Sequence, residues 1–307
     1  MSRKGILKYI LVVLFSLVTS ALFGANVLVP QMDFTSFINL KGEIATRGEF
    51  DITFDGGYKY QGKLGFEYLN ADLENNTAPS LVFDIAQASV NDIFKVLDLT
   101  YWTGYYGVIG EAEYYKGHLY HREGGFDYDG YLPVLGTGII MGTDYWEHYG
   151  GKIYLYQRYG SNTIKSLDLA FDLSFEPYFF TLFAGLTGED FRLGLMAKYL
   201  GRVSDFYITI GNPTIDGGRM FDYDNFYFLL EEYFRIQNWN LILSIFSRPK
   251  EHYNYLIRDY ADTNEVNDID FNVNLNYEPE GSYFSVGGEM NIQTNETEEF
   301  GIFLSPF

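Results

Sequence analysis

The sequence predicts an all-β fold: a closed antiparallel transmembrane β-barrel, preceded by an N-terminal signal peptide. Three observations carry that expectation. Apolar and polar residues alternate through most of the chain, tight-turn signals separate the alternating runs, and the longest insertions all fall on one side of the resulting meander.

The leading segment is read first. Arg3, Lys4 and Lys8 precede an apolar run over 9–18, and the small residues Ser20, Ala21, Gly24 and Ala25 follow. This is the charged, apolar, small-residue order of a secretory signal, with cleavage expected after Gly24 or Ala25. The run is too short for the ~20 residues of a spanning helix. Residues 1–25 are therefore assigned to the signal peptide and 26–307 to a single barrel domain. Loss of three cations and no anion makes an already acidic chain, formally -20, more acidic still.

The period-two pattern follows. Tyr58, Tyr60, Leu64, Phe66 and Tyr68 share one parity, with Lys59, Gln61, Lys63 and Glu67 on the other. Leu167, Leu169, Phe171, Leu173 and Phe175 alternate with Asp168, Asp172 and Ser174, and Phe206, Ile208 and Ile210 with Tyr207 and Thr209. Ile269, Phe271, Val273, Leu275 and Tyr277 alternate with Asp270, Asn272, Asn274 and Asn276. Such an apolar face packs on a second sheet in a soluble sandwich, or faces lipid around a wet interior in a membrane barrel.

Turn chemistry stands at Asp55-Gly56-Gly57, Gly160-Ser161-Asn162, Glu176-Pro177, Gly188-Glu189-Asp190 and Glu278-Pro279-Glu280-Gly281. Between these signals, strands are expected at 36–44, 48–55, 57–70, 80–90, 95–104, 134–143, 150–159, 164–175, 178–187, 191–200, 204–211, 224–235, 239–247, 268–277, 282–292 and 299–307. That is sixteen strands, within a range of twelve to sixteen. Insertions at 71–79, 105–133, 212–223, 248–267 and 293–298 follow odd-numbered strands only, so they share one end. Merging 36–55 into one strand would make the count odd and put the chain's end on the wrong side. Strand lengths suit the 9 to 11 residues a tilted strand needs to cross a bilayer. Sixteen strands enclose a water-filled interior, whereas about eight are filled by side chains. Aromatic groups near strand ends, Tyr178-Phe179-Phe180, Phe206-Tyr207 and Phe226-Tyr227-Phe228, suit interfacial girdles.

Composition excludes several functions. With 41 acidic against 21 basic residues the chain offers no phosphate-binding surface, so nucleic acid is not a partner. Absence of Cys removes disulfides, thiolate metal sites and cysteine nucleophiles. Gly136-Thr137-Gly138 lacks the third glycine and following helix of a dinucleotide site, and no cofactor is implied.

The chain closes on Glu299-Phe300-Gly301-Ile302-Phe303-Leu304-Ser305-Pro306-Phe307, an apolar strand with a terminal Phe. Here it resembles the bacterial outer-membrane β-barrel class, in which such a strand is recognised by the barrel-assembly machinery; Phe303 and Phe307 match, while Ser305 and Pro306 depart from the pattern. A second resemblance runs through Phe83-Asp84-Ile85-Ala86-Gln87-Ala88-Ser89-Val90 and Leu97-Asp98-Leu99-Thr100-Tyr101-Trp102-Thr103-Gly104. It is similar to a hairpin of porin-like proteins that precedes a loop folded into the pore, with Thr103-Gly104 where Gly-Arg is usual. The resemblance implies that 105–133 forms a constriction, with Glu111, Glu113, Lys116, Arg122, Glu123, Asp127 and Asp129 as pore-lining candidates. An acid-weighted ring favours cations. The alternative for these charges is a solvated surface loop.

The expectation is an outer-membrane channel of a diderm bacterium, passing small solutes or ions by passive diffusion and contacting outer-membrane lipid, with an oligomer left open. A surface adhesin or envelope anchor is the alternative. A barrel-type hydrolase ranks below both, because His118, His121, His148 and His252 lie in no catalytic motif. The repeated aromatic-Asp-Tyr-Asp at Phe126–Asp129 and Phe221–Asp224 supplies too few oxygens for calcium and is read as turn chemistry, so no metal is expected.

Overall fold

A computed structural model describes residues 26–42, 44–56, 59–70, 80–109, 112–114, 132–158, 165–187, 190–215, 225–247, 251–254, 259–262, 269–281, 283–293 and 299–306. The strands are β1 (Asn26–Asn39), β2 (Ile44–Asp55), β3 (Tyr60–Asn70), β4 (Ser80–Ile93), β5 (Leu97–Ile109), β6 (Leu132–Trp146), β7 (Tyr149–Arg158), β8 (Lys165–Phe175) and β9 (Tyr178–Thr187). They continue as β10 (Asp190–Leu200), β11 (Ser204–Ile215), β12 (Tyr227–Ile236), β13 (Trp239–Ser247), β14 (Glu251–Asn254), β15 (Asp259–Asp262), β16 (Ile269–Tyr277), β17 (Phe284–Gln293) and β18 (Glu299–Pro306).

Each barrel strand pairs antiparallel with its neighbour, and β13 passes directly to β16 because β14 and β15 form a separate two-stranded sheet. Pairing of Ser36 with Leu304 and Asn39 with Gly301 joins β1 to β18 and closes the ring. Closure satisfies the backbone groups that an open sheet would leave at two edges.

Several boundaries differ from the sequence expectation, each for a backbone reason. β1 begins at Asn26 and ends at Asn39, displaced from the expected 36–44. Pro30, which lacks an amide donor, falls within the register shift between Leu28 and Gln31, where regular pairing with β2 is interrupted. β5 runs on to Ile109 through a register shift between Tyr105 and Gly107, and β6 starts at Leu132, so both strands reach into the expected 105–133 insertion. β11 continues through Asn212-Pro213 to Ile215 by a similar irregularity. The expected 248–267 insertion holds the β14–β15 hairpin.

The two faces invert the pattern of a soluble protein. On the outside stand Leu167, Leu169 and Phe171 of β8, Phe180, Leu182 and Leu186 of β9, and Leu193 and Leu195 of β10; Leu169 is 47% exposed and Leu182 50%. The opposite parity carries Ser166, Asp168, Arg192, Asp205, Thr209 and Glu231, all buried. A continuous apolar exterior of this kind marks a surface that is not matched to water. Tyr178 and Phe206 are exposed as girdle residues would be, but Tyr207 and Tyr227 are buried and face inward, which corrects their assignment to a girdle. Their parity is that of Asp205, Thr209, Leu229 and Glu231 rather than of the apolar exterior.

Gly104, at the resembling β4–β5 hairpin, has φ of +114°, and a Cβ there would lie 2.0 Å from the Asp84 carbonyl oxygen. Only glycine lets β5 approach β4 this closely, opposite the register shift that follows Gly65.

Candidate functional site

The interior of the barrel is the candidate site, and its wall is not uniformly polar. From β5 to β13 the inward parity packs an aromatic cluster that includes Trp102, Tyr154, Tyr156, Phe183 and Tyr227. Trp102 lies 5.5 Å from the Tyr156 ring and 5.6 Å from that of Tyr106, which in turn meets Tyr154 edge-on at 6.1 Å.

Against this cluster sits a buried ion pair. Arg192, 3% exposed, donates from Nη2 to the Asp168 carboxylate and, at 2.6 Å, to the Tyr156 hydroxyl. That hydroxyl donates onward to Asp168 Oδ2 at 2.8 Å. Gly185 makes the room: a Cβ there would lie 2.2 Å from Asp168 Oδ1. The Arg192 guanidinium also lies 5.5 Å from the centre of the Phe183 ring. A buried ion pair is costly to break from one side, because the partner left behind is an uncompensated buried charge.

The chain between β5 and β6 reaches the facing wall. Glu231 of β12 accepts backbone amides of Glu113 at 2.6 Å and Tyr114 at 3.3 Å. Tyr114 stacks on Tyr233 with ring centres 4.7 Å apart and donates its hydroxyl to Asp205 Oδ2 at 3.0 Å. Arg235 grips the same Asp205 with Nη1 and Nη2, and its guanidinium lies 4.7 Å from the Tyr233 ring centre. Lys198 of β10 pairs with the Glu113 carboxylate. Burial, and then the Asp205 carboxylate that accepts its hydrogen bond, raise the Tyr114 hydroxyl above the usual phenol range. It stays protonated and a donor at neutral pH. The segment 112–114 is thus held across the interior by bonds to three successive strands, β10, β11 and β12.

Of the pore-lining candidates, Glu113 is brought to this contact with Lys198. Glu111, Lys116, Arg122, Glu123, Asp127 and Asp129 lie outside the described residues, as do Phe307, His118 and His121. The same holds for the acidic pairs of both aromatic-Asp-Tyr-Asp copies. Phe303 belongs to β18 and stands opposite Gly287 on β17 and Phe37 on β1. His252 lies in β14, opposite Ala261. His148 is exposed in the β6–β7 turn, stacked on Phe175 with ring centres 5.1 Å apart and its Nδ1 3.0 Å from the Ser174 carbonyl. Among the described residues no group of His, Asp and Glu could hold a metal ion.

Sequence reasoning missed Tyr114, Lys198, Asp205, Glu231 and Arg235. All but Tyr114 lie on strands, and their signal was available: charges on the inward parity of β10, β11 and β12, with Lys198 and Glu231 both level with Tyr207 and Asp205 two residues along.

The closed antiparallel ring, apolar outside and crossed by the chain that follows β5, is the architecture of a porin. Among solved structures, a triple mutant of Rhodopseudomonas blastica porin superimposes with a TM-score of 0.57 at 10% identity, covering 91% of this chain and 99% of that one. A structure described as "Asymmetric conductivity of engineered proteins" gives a TM-score of 0.59 at 10% identity, over 92% of this chain and 99% of the other. A double mutant of the Rhodopseudomonas blastica porin gives 0.58 at 9% identity, over 91% and 99%. The chain therefore has the porin fold at a level of identity that speaks for the fold alone. No protein-family model matches the sequence, and neither does any curated protein.

Proposed function

We propose that this chain is an outer-membrane channel that passes small solutes by diffusion and prefers cations. The observation that carries the proposal is the inverted barrel: an apolar exterior suited to lipid encloses charged and aromatic side chains, and the chain crosses the interior at 112–114. A spanning barrel needs every backbone group paired between strands, and the β1–β18 seam supplies the final set. The porin fold of the neighbours supports the same reading.

Inner charge supports the cation preference. Lys63, Arg192, Lys198 and Arg235 are each matched to a carboxylate, on Asp51, Asp168, Glu113 and Asp205 respectively. Glu231, Asp270, Glu289 and Asp172 add further inward carboxylates, against the inward ammonium of Lys152. An excess of carboxylate raises the local cation concentration and lowers that of anions. The loop charges Glu111, Lys116, Arg122, Glu123, Asp127 and Asp129 are proposed to line the same constriction. Phe303 and Phe307 are proposed to serve the assembly machinery after export directed by residues 1–25.

Single-channel recording across a planar bilayer with a salt gradient tests the proposal. Discrete conductance steps with a cation-selective reversal potential are expected. Folded protein that inserts and gives no conductance refutes the channel and favours an adhesive or anchoring barrel.

A further inference from the structure

A cavity of about 380 Å³ lies between the crossing segment and the wall formed by β7–β11. Its charged lining comprises Lys152, Asp172, Lys198 and Glu113, beside the rings of Tyr106 and Tyr154. Lys152 pairs across the ladder with Ala170, two residues from Asp172, so the ammonium and the carboxylate are diagonal neighbours on the inner face. Diagonal positions are about 7–8 Å apart, within joint reach of one small molecule.

The four charges are not equivalent. Lys198 and Glu113 neutralise each other. Thr181 donates to Asp172 Oδ1 at 2.5 Å and fixes that carboxylate without cancelling its charge. Lys152 has no ion-pair partner among the described residues. The cavity therefore offers one ammonium and one oriented carboxylate beside aromatic surface. A lone cation or a lone anion would satisfy only half of this set and meet repulsion from the other half. A molecule bearing both an ammonium and a carboxylate satisfies both.

We infer that this cavity is a binding subsite for zwitterionic solutes of amino-acid size, with Lys152 receiving the carboxylate, Asp172 receiving the ammonium, and the Tyr106 and Tyr154 rings receiving an apolar side chain. The inference rests on the channel reading and assigns the solute class to it. Binding at such a subsite is weak enough to release the solute onward, as conduction requires.

The test uses phenylalanine, with phenethylamine and 3-phenylpropanoate as single-charge analogues of the same size. Phenylalanine is expected to reduce the salt current saturably, and each analogue to need about tenfold more for the same block, the value of one charge-assisted contact. Lys152→Gln and Asp172→Asn are each expected to weaken the phenylalanine block by about the same factor. Equal block by an analogue, or undiminished block in both variants, overturns the subsite. Calorimetric titration of phenylalanine into detergent-folded protein reads the site without current. Binding with a silent bilayer refutes the channel and keeps the subsite, and conductance without saturable binding refutes the subsite and keeps the channel.

Discussion

The inner wall has two halves of different chemistry. From β5 to β13 it carries Trp102, Tyr154, Tyr156, Phe183, Tyr227 and Phe246, with the Asp168–Arg192 pair set among them. Along β16 and β17 the same parity carries Asp270, Asn272, Asn274, Ser285, Glu289 and Asn291. Toward the β2–β4 side, Lys63 pairs with Asp51, and Gln61, Gln87, Ser89 and Asn91 edge a polar recess of about 580 Å³ that continues onto β5–β8 through Asp98, Thr100, Lys152 and Asp172. The difference teaches that one parity can do two jobs. On one side it builds a platform against which the crossing segment docks; on the other it packs buried amides, hydroxyls and carboxylates, such as Asn291, which donates across the ladder to Asn272.

The comparison breaks most sharply at the ion pair. Arg192→Leu strands the Asp168 carboxylate among rings and is expected to destabilise the barrel by about 3–5 kcal/mol, read by reversible unfolding in lipid vesicles. Combining it with Asp168→Asn is expected to restore much of that loss, because the charge left behind is removed as well. The outer face ranks next. Leu182→Arg, on the lipid side of β9, is expected to cost about 2–4 kcal/mol in vesicles if the position lies near the bilayer midplane.

A subtler change separates docking from stability. Glu231→Gln turns two charge-assisted bonds from the crossing segment into neutral ones, worth about 1 kcal/mol, or about fivefold in the released population. Open-channel noise and proteolysis between β5 and β6 are expected to rise while the unfolding midpoint barely moves. The smallest effect belongs to the polar half. Asn274→Leu, near-isosteric on the β16 wall, is expected to change stability by about 1 kcal/mol or less, measured by the same unfolding assay. A larger loss there than at Arg192 would erase the distinction between the halves.

Much of the fold was legible because the alternation in β7–β13 and β16–β17 is nearly unbroken and the turns at Glu176-Pro177 and Gln237-Asn238 are two residues long. The β1 boundary was not legible, since its first half, with Pro30 inside it, is held as strand through an irregular register formed with β2, a strand it meets only in the fold. Extension of β5 and β6 past the expected loop ends was hidden for a related reason: Gly107, with φ of +152°, reads as loop punctuation but serves a strand irregularity. The candidate site was legible only at Glu113. Its partners Lys198 and Glu231 lie 85 and 118 residues away, and nothing local in the sequence announces which inward charges a distant segment will meet.

The seam between β1 and β18 sets the order in which the molecule can be made. Most pairings join strands adjacent along the chain and can zip as each hairpin forms, but Ser36 finds Leu304 only after nearly everything between them is in place. Loop-closure entropy makes that step slow, and until it is taken the growing sheet exposes two unpaired flanks at once. A chaperone or insertion factor that holds those flanks apart from other chains would therefore act on the moment of commitment, with the ring as its product.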